Sequence, residues 1–352
     1  MNLFKSSNIW GDEIMLPAKL SAKVIKGAVF APKVTPGGAY DFDSGWGVYD
    51  DDGARVEAAA YRRGPGINYV GQSAHQIFPR SEISAAPCAH AIYGGVAHTH
   101  FGHFLVSTLA RLWVTGTEHA PRGTKYVFHM DQSPAEWFAT PFVAACLEPL
   151  GIRQEDILPI TGATRFESLT TPEPSFEETR AYHPVFRETA LTIGETLKAE
   201  SPVAPGTPVY LSKEGLAGGV KRFVNEAELV DRLRAGGVAI VHPQDLSLAQ
   251  QIAVFRDAPI VLGSLSSAFH TSIMSSARTR LVGLNHDANI FSTFTMIDRM
   301  TGNQALYVHQ NAALATSGDP RFMATFQLPD PVSAAEDLLR IIDNDLPNVV
   351  RD

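Results

Sequence analysis

VYLSKEGLAGGVKRFVNEAELVDRLRAGGVAIVHPQDLSLAQQIAVFRDAPIVLGSLSSAFHTSIMSSARTRLVGL, residues 209–284, alternates short apolar runs with helix-length amphipathic sequence. The runs are VYLS (209–212), VAIVH (238–242), PIVLG (259–263) and RLVGL (280–284). Each is short, apolar on successive residues and bounded by turn formers, which is the pattern of a strand buried on both faces. Strand, helix, strand repeated predicts a parallel sheet and an α/β fold. Capping-box spacings support the intervening helices: Asn225 with Glu228, Ser247 with Gln250 and, further on, Ser333 with Glu336. In open parallel sheets ligands sit beyond the carboxyl ends of the strands, so the loops of interest are SKEGLAGGVKR, HPQDLS and GSLSSAFH.

Upstream, the Pro- and Gly-rich octet SPVAPGTP (201–208) marks a boundary. At 352 residues the chain exceeds what one core usually supports, and two domains are expected. The expected division is a β-hairpin-rich region over 1–90, an α/β domain over 91–204, a second α/β domain over 205–330 and a terminal helix over 331–352. In the first region AKVIKGAVF (22–30) and GWGVYDDDGARVEAAAY (45–61) read as hairpins. From Phe101 the period becomes helical, KYVFHM (125–130) reads as a strand, and SPAEWFATPFVAACLEPLG (133–151) as a helix opened by a Ser133–Glu136 capping box. ILPI (157–160) reads as another strand, 161–183 as irregular, and PVFRETALTIGETLKAE (184–200) as a helix.

A formal net charge of -8 argues against a nucleic-acid binder, because phosphate neutralisation needs a surplus of Lys and Arg. Cys88 and Cys146 are the only cysteines, too few for a disulfide framework. Both are expected to be small buried thiols in a reducing compartment. No apolar run reaches membrane-spanning length. A soluble, cytoplasmic protein is expected, and weak attachment to a membrane surface through a partner or a lipid-linked substrate is compatible with this.

Three stretches carry chemistry. The loop after VYLS is rich in glycine and holds Lys213, Lys221 and Arg222, a composition suited to a diphosphate, although neither GxxxxGK[ST] nor GxGxxG is present. GSLSSAFH (263–270) leaves a buried strand for a helix, so its free amides and the hydroxyls of Ser264, Ser266 and Ser267 suit phosphate oxygens, with His270 in the first turn. In THFGHFLVSTLARLW (99–113), His103, Ser107 and Arg111 fall at i, i+4 and i+8, opposite or beside the apolar stripe and so on the wet side of a helix, with His100 just ahead of it or in its first turn. Histidine accepts a proton near neutral pH, which makes His103 a candidate general base. Asp131, at the end of KYVFHM, is a spare carboxylate base. His98, His100 and His103 alternatively read as metal ligands of a hydrolase, without a fourth ligand identifiable by spacing. No GxSxG elbow is present.

In their order these segments resemble glycosyltransferase family 61, including bacterial members associated with capsule and other surface polysaccharides. HFGHFLVSTLARLW is similar to the family's GHFL helix, VYLSKEGLAGGVKRFVNEAEL to its strand and basic loop, and LSLAQQIAVFRDAPIVLGSLSSAFHTSIM to its third block. The resemblance implies a GT-B-like arrangement, two Rossmann-like domains facing a cleft. It implies inverting transfer of a sugar from a nucleoside-diphosphate sugar to a glycan or lipid-linked glycan hydroxyl, with no metal or other cofactor. By position Ser212, Lys213, Lys221 and Arg222 would meet the diphosphate; Ser266, Ser267 and His270 would line the donor site; and His103 would face the acceptor. Where many bacterial relatives carry an acidic residue, this chain has Ser107, so that His103, His100 or Asp131 takes the proton, or the protein is an impaired relative that binds nucleotide or glycan as a scaffold. Lys213 stands where arginine is usual, and His270 is followed by Thr271 in place of asparagine. The sugar, the acceptor and the oligomeric state are not encoded in any of these motifs.

Overall fold

The computed structural model describes residues 2–16, 19–33, 45–66, 69–216, 221–316 and 324–344. Residues 217–220 of the glycine-rich loop and the last eight residues of the chain lie outside this set. The chain forms two compact units, Gly11–Thr196 and Met1–Trp10 with Leu197–Asp352. The sequence placed the break in 201–208; the units part at Thr196, just before that octet, and the first ten residues join the carboxyl-terminal unit. Several sheets and helices make the protein mixed α/β. No helix among the described residues is long and apolar enough to cross a membrane.

The carboxyl-terminal unit is built on one six-stranded sheet ordered Phe4–Lys5, Gln304–His309, Arg280–Asn285, Ile260–Ser264, Val209–Leu211, Ala239–Val241. All neighbours are parallel except Phe4–Lys5, which runs antiparallel to Gln304–His309 at one edge. The four apolar runs of 209–284 are thus adjacent strands. Alternation sends Tyr210, Leu262, Val282 and Val308 into one core with the helices Glu226–Ala235 and Pro331–Asp343. It sends Val209, Leu211, Val261 and Leu281 into another with Val254, Phe255, Phe269 and Phe294. Counting the parallel strands along the chain, their spatial order is 2-1-3-4-5, a doubly wound sheet whose winding reverses between Val209–Leu211 and Ile260–Ser264. In doubly wound sheets such a reversal is where a crevice opens, because the outgoing connections leave towards opposite faces.

Two of the expected capping boxes form, at Ser133–Glu136 and Ser247–Gln250. The other two do not. The Asn225 side chain instead pairs with the backbone of Leu328 in both directions, and the last helix starts earlier, with Asp330 accepting from the amide of Ser333. Pro141 divides the expected 133–151 helix into Pro134–Phe138 and Pro141–Leu147, because the preceding Thr140 is held extended and the ring cannot donate a hydrogen bond.

In the Gly11–Thr196 unit, one four-stranded sheet runs Ala22–Lys26, Ser168–Pro172, His90–Val96, Tyr126–His129 and another runs Gly47–Tyr49, Val29–Ala31, Thr164–Arg165, Ser84–Ala85. Phe30, Val48, Tyr93, Val127, Phe166 and Leu169 pack together in the core. AKVIKGAVF is not a hairpin. At Gly27, with φ +65° and a Cβ position 2.6 Å from the Asp51 carboxylate, the chain leaves one sheet for the other. GWGVYDDDGARV turns back on itself through one antiparallel bridge, Tyr49 to Arg55. ILPI contributes only a bridge from Ile157 to Tyr126. The parallel strands His90–Val96 and Tyr126–His129 are joined by the helical segment Phe101–Val114, which places that segment at the carboxyl end of the first strand.

Candidate functional site

In the carboxyl-terminal unit, the connections leaving the two strands at the winding reversal are tied together by a buried lysine. Lys213 follows Leu211 by two residues, is 8% exposed, and donates from Nζ to the carbonyls of Leu265 at 2.9 Å and Lys221 at 2.6 Å. Its amide donates to Glu226 Oε2 at 3.1 Å, and Glu226 also accepts from the Tyr210 hydroxyl at 2.9 Å. Burial lowers the Lys213 ammonium to about 8, and burial raises the Glu226 carboxyl. Lys213 therefore pins the basic loop and the serine-rich turn together, and its charge lies under their backbone rather than on the surface.

Lys221 adopts a left-handed backbone, φ +55°, which is uncommon outside glycine and marks a sharp reversal at the loop's end. Its Nζ lies 3.2 Å from Nε2 of His286, the residue after strand Arg280–Asn285. Burial, then the nearby Lys221 charge, lowers the His286 imidazole to about 4, so the ring is neutral near pH 7 and its Nε2 accepts. Burial also lowers Lys221, with Asp287 opposing. At the next strand end the Ser6 hydroxyl donates to the Asp287 carbonyl at 2.9 Å and lies 3.2 Å from Nδ1 of His309. Lys213, Lys221 and His286 are thus gathered at the carboxyl edge of the sheet.

The remaining residues expected at this site are placed differently from one another. Ser212 is buried, its hydroxyl accepting from the Glu214 amide. Ser266 caps the helix Ser267–Met274 by accepting from the Ala268 amide, and Ser267 opens that helix. Arg222 is exposed and donates to the Leu216 carbonyl. His270 is 7% exposed with its ring 4.8 Å from Phe294, packed in the core behind the serine-rich turn. His286 and His309 were not singled out from the sequence, although each ends an apolar strand, which was the available signal.

The Gly11–Thr196 unit holds the histidine cluster. Phe101–His103 is one α-turn, Phe104–Thr108 widens to π geometry and Leu109–Val114 tightens to a 3-10 helix. His103 Nδ1 lies 3.1 Å from Oε2 of Glu178, whose Oε1 pairs with Arg63 at 3.0 Å. The His100 and His98 rings pack 4.9 and 5.4 Å from His103. Burial, with His103 next, depresses both, His98 to about 3. Glu178 sits in the turn between strands Phe176–Glu177 and Ala181–Tyr182, beside Thr179 at φ +56°. The sequence left this segment as irregular. Its only signal was a cluster of charge, Glu177, Glu178 and Arg180, between Phe176 and the apolar pair Ala181–Tyr182.

Asp131 is half-exposed and forms an ion pair with Lys33 at 2.8 Å. Among the described residues no group of three or more His, Cys, Asp or Glu is placed to hold a metal ion, so the HxHxxH reading has no ligand set. Cys146 is buried as expected, whereas Cys88 is only half-buried; burial raises both thiols above their usual range.

Arg111 corrects a second expectation. It is 4% exposed, not part of a wet face, and donates to the carbonyls of Ala58, Ala60 and Pro172. Burial lowers the guanidinium to about 10, still charged at neutral pH. Together with Ser107, Tyr93, Arg62, Glu177 and Glu178 it lines a small, solvent-open pocket. Ser107 thus brings no carboxylate to this pocket from the helix, whereas Glu177 and Glu178 bring two from another segment.

The sequence matches the glycosyltransferase 61 family over residues 101–282, from the start of the histidine-bearing helix to the strand preceding His286. No curated protein matches the chain.

Proposed function

This chain belongs to glycosyltransferase family 61, and we propose that it is an inverting enzyme moving a sugar from a nucleoside-diphosphate sugar to a glycan hydroxyl, without a metal. In this reading it is GT-B-like, with Gly11–Thr196 as the acceptor half and the carboxyl-terminal unit as the donor half. The observation that carries the proposal is the convergence of Lys213, Lys221 and His286 at the winding reversal of a doubly wound sheet, where such folds take phosphorylated ligands.

The chemistry follows from the groups present. His103 accepts the proton of the acceptor hydroxyl, whose oxygen attacks the anomeric carbon as the bond from that carbon to the diphosphate oxygen breaks. One displacement inverts the configuration. The departing diphosphate carries the developing negative charge, which Lys221 and the amides of the Ser266 turn stabilise, with Lys213 adding its fixed charge from beneath. Glu178 holds the His103 ring and favours the imidazolium that forms. This carboxylate favours an active enzyme over a scaffold despite Ser107. Ser212, Ser267, Arg222 and His270 remain donor-site candidates only as supports of these loops, and His100 and Asp131 are secondary candidates for the base. A lipid-linked acceptor used at the inner membrane surface, in synthesis of capsule or another surface polysaccharide, is the biological setting we propose.

A thermal-shift screen against nucleoside diphosphates and their sugars tests the donor half, because a ligand that binds only the folded state raises apparent stability. A shift with one such family, reduced in Lys221→Ala, is expected. No shift with any member contradicts the reading.

A further inference from the structure

Just beyond the cationic strand ends, strand Asn289–Phe291 pairs in parallel with Asn8–Trp10, opposing Asn289 to Asn8 and Phe291 to Trp10. Side chains two apart in a strand share a face, so Asn8, Trp10, Asn289 and Phe291 form one face of this two-stranded ribbon. All four are exposed, Trp10 by 48% and Phe291 by 45%. The two rings meet edge to face, with centroids 5.2 Å apart and planes at 86°. Two large aromatic rings left half in water, beside two amides, are costly to solubility and add nothing to the core.

The ribbon is continuous with the Lys221–His286 pair. Lys221 Nζ, 3.2 Å from His286, is also 5.6 Å from the Phe291 ring centroid. Between them stands Asp287, whose side chain is 42% exposed; one carboxylate oxygen lies 3.3 Å from His286 Nε2, and the other accepts from the Asn289 amide at 2.7 Å. Along the chain, therefore, the imidazole that meets Lys221, a carboxylate, an amide and an aromatic ring follow one another within six residues of the strand end, at His286, Asp287, Asn289 and Phe291.

We infer that this ribbon is the nucleobase platform of the donor site: the base stacks on the Phe291–Trp10 pair, the Asn8 and Asn289 amides meet its polar edge, Asp287 accepts from the ribose hydroxyls, and the diphosphate reaches Lys221. The inference rests on the donor-site reading above and assigns residues to a part of the ligand that the reading leaves unassigned. Every nucleobase has a stacking face, and an amide offers both a donor and an acceptor. The ribbon also explains why the first ten residues belong to the donor unit: Trp10 is supplied by them.

Trp10 is the only tryptophan in residues 1–10 and 197–352, so its emission reports on the ribbon. The purified full chain is titrated with uridine, guanosine and thymidine diphosphates and with inorganic pyrophosphate, following tryptophan emission and, in parallel, heat of binding. At least one nucleoside diphosphate is expected to bind and quench the emission, whereas pyrophosphate binds without quenching. Trp10→Phe abolishes the quench but keeps a ring and the affinity. Phe291→Ala weakens the nucleoside diphosphate about 10-fold and leaves pyrophosphate unchanged. If Phe291→Ala does not fold, the quench and its loss in Trp10→Phe decide the matter. Binding of a nucleoside diphosphate with unaltered emission, or equal weakening of pyrophosphate by Phe291→Ala, overturns the platform while leaving the donor site standing. Failure of every diphosphate to bind overturns the donor site and the platform together.

Discussion

The Nδ1 atom of His103 and the Oε2 atom of Glu178 stand 3.1 Å apart, although the two residues are separated by 75 positions in the chain. The carboxylate fixes which ring nitrogen carries the proton and leaves the other, Nε2, to act as the base. Glu178→Gln keeps the shape and a hydrogen bond but removes the charge that stabilises the imidazolium. Turnover should fall by roughly 10²-fold with the donor KM unchanged. In a His103→Ala background the same substitution should cost almost nothing more, because the two act as one unit. Independent, additive losses would separate Glu178 from the base.

Arg111 tests the reading of the helix's inner face. Its guanidinium satisfies three backbone carbonyls from two segments, Ala58, Ala60 and Pro172. Arg111→Met fills much of the volume but leaves those acceptors buried without a donor. Unfolding in urea should show a loss of about 3 kcal/mol or more, with nucleoside diphosphate affinity unaltered. A change under about 0.5 kcal/mol would return the side chain to a solvated face.

Acid sensitivity follows from His98. Burial, then the His103 charge, lowers its imidazole from 6.5 to about 3, so the unfolded chain binds a proton that the folded one refuses between these values. Stability contributed by keeping the ring neutral is present above about pH 6.5 and is lost as pH falls towards 3. Between pH 7 and pH 5 this single group should account for about 2 kcal/mol of the loss. His98→Phe should shrink the difference in urea stability between those pH values by that amount. An unchanged difference would assign the acid sensitivity to His129 and His286, which burial also depresses.

Much of the carboxyl-terminal unit was legible because its strands are buried on both faces and therefore appear as unbroken apolar runs, and Ser247 there, like Ser133 in the other unit, uses local capping chemistry. Asn225 and Ser333 misled for the opposite reason: Asn225 is engaged by Leu328, and Asp330 competes successfully for the cap. The helix beginning at Phe101 shows a subtler failure. An ideal 3.6-residue period puts Arg111 in line with His103, but the π turn of Phe104–Thr108 advances fewer degrees per residue and the 3-10 turn after it more, so the phase is lost and Arg111 is buried. Glu178 and His286 had only weak local signatures, a cluster of charge and the end of an apolar strand, since each acquires its role from a partner far away in sequence. The histidines at 98, 100 and 103 were visible as chemistry, but only geometry separates the ring held by a carboxylate from the two that burial keeps neutral.

The most direct test of the account is release of nucleoside diphosphate during sugar transfer, measured for the parent and for His103→Ala with the donor identified by the thermal screen and a panel of glycan acceptors. The parent should release diphosphate in step with an anomerically inverted product, and His103→Ala should lose 10²- to 10⁴-fold in turnover while binding the donor as tightly as before. Undiminished turnover in His103→Ala, or a product of retained configuration, would contradict it.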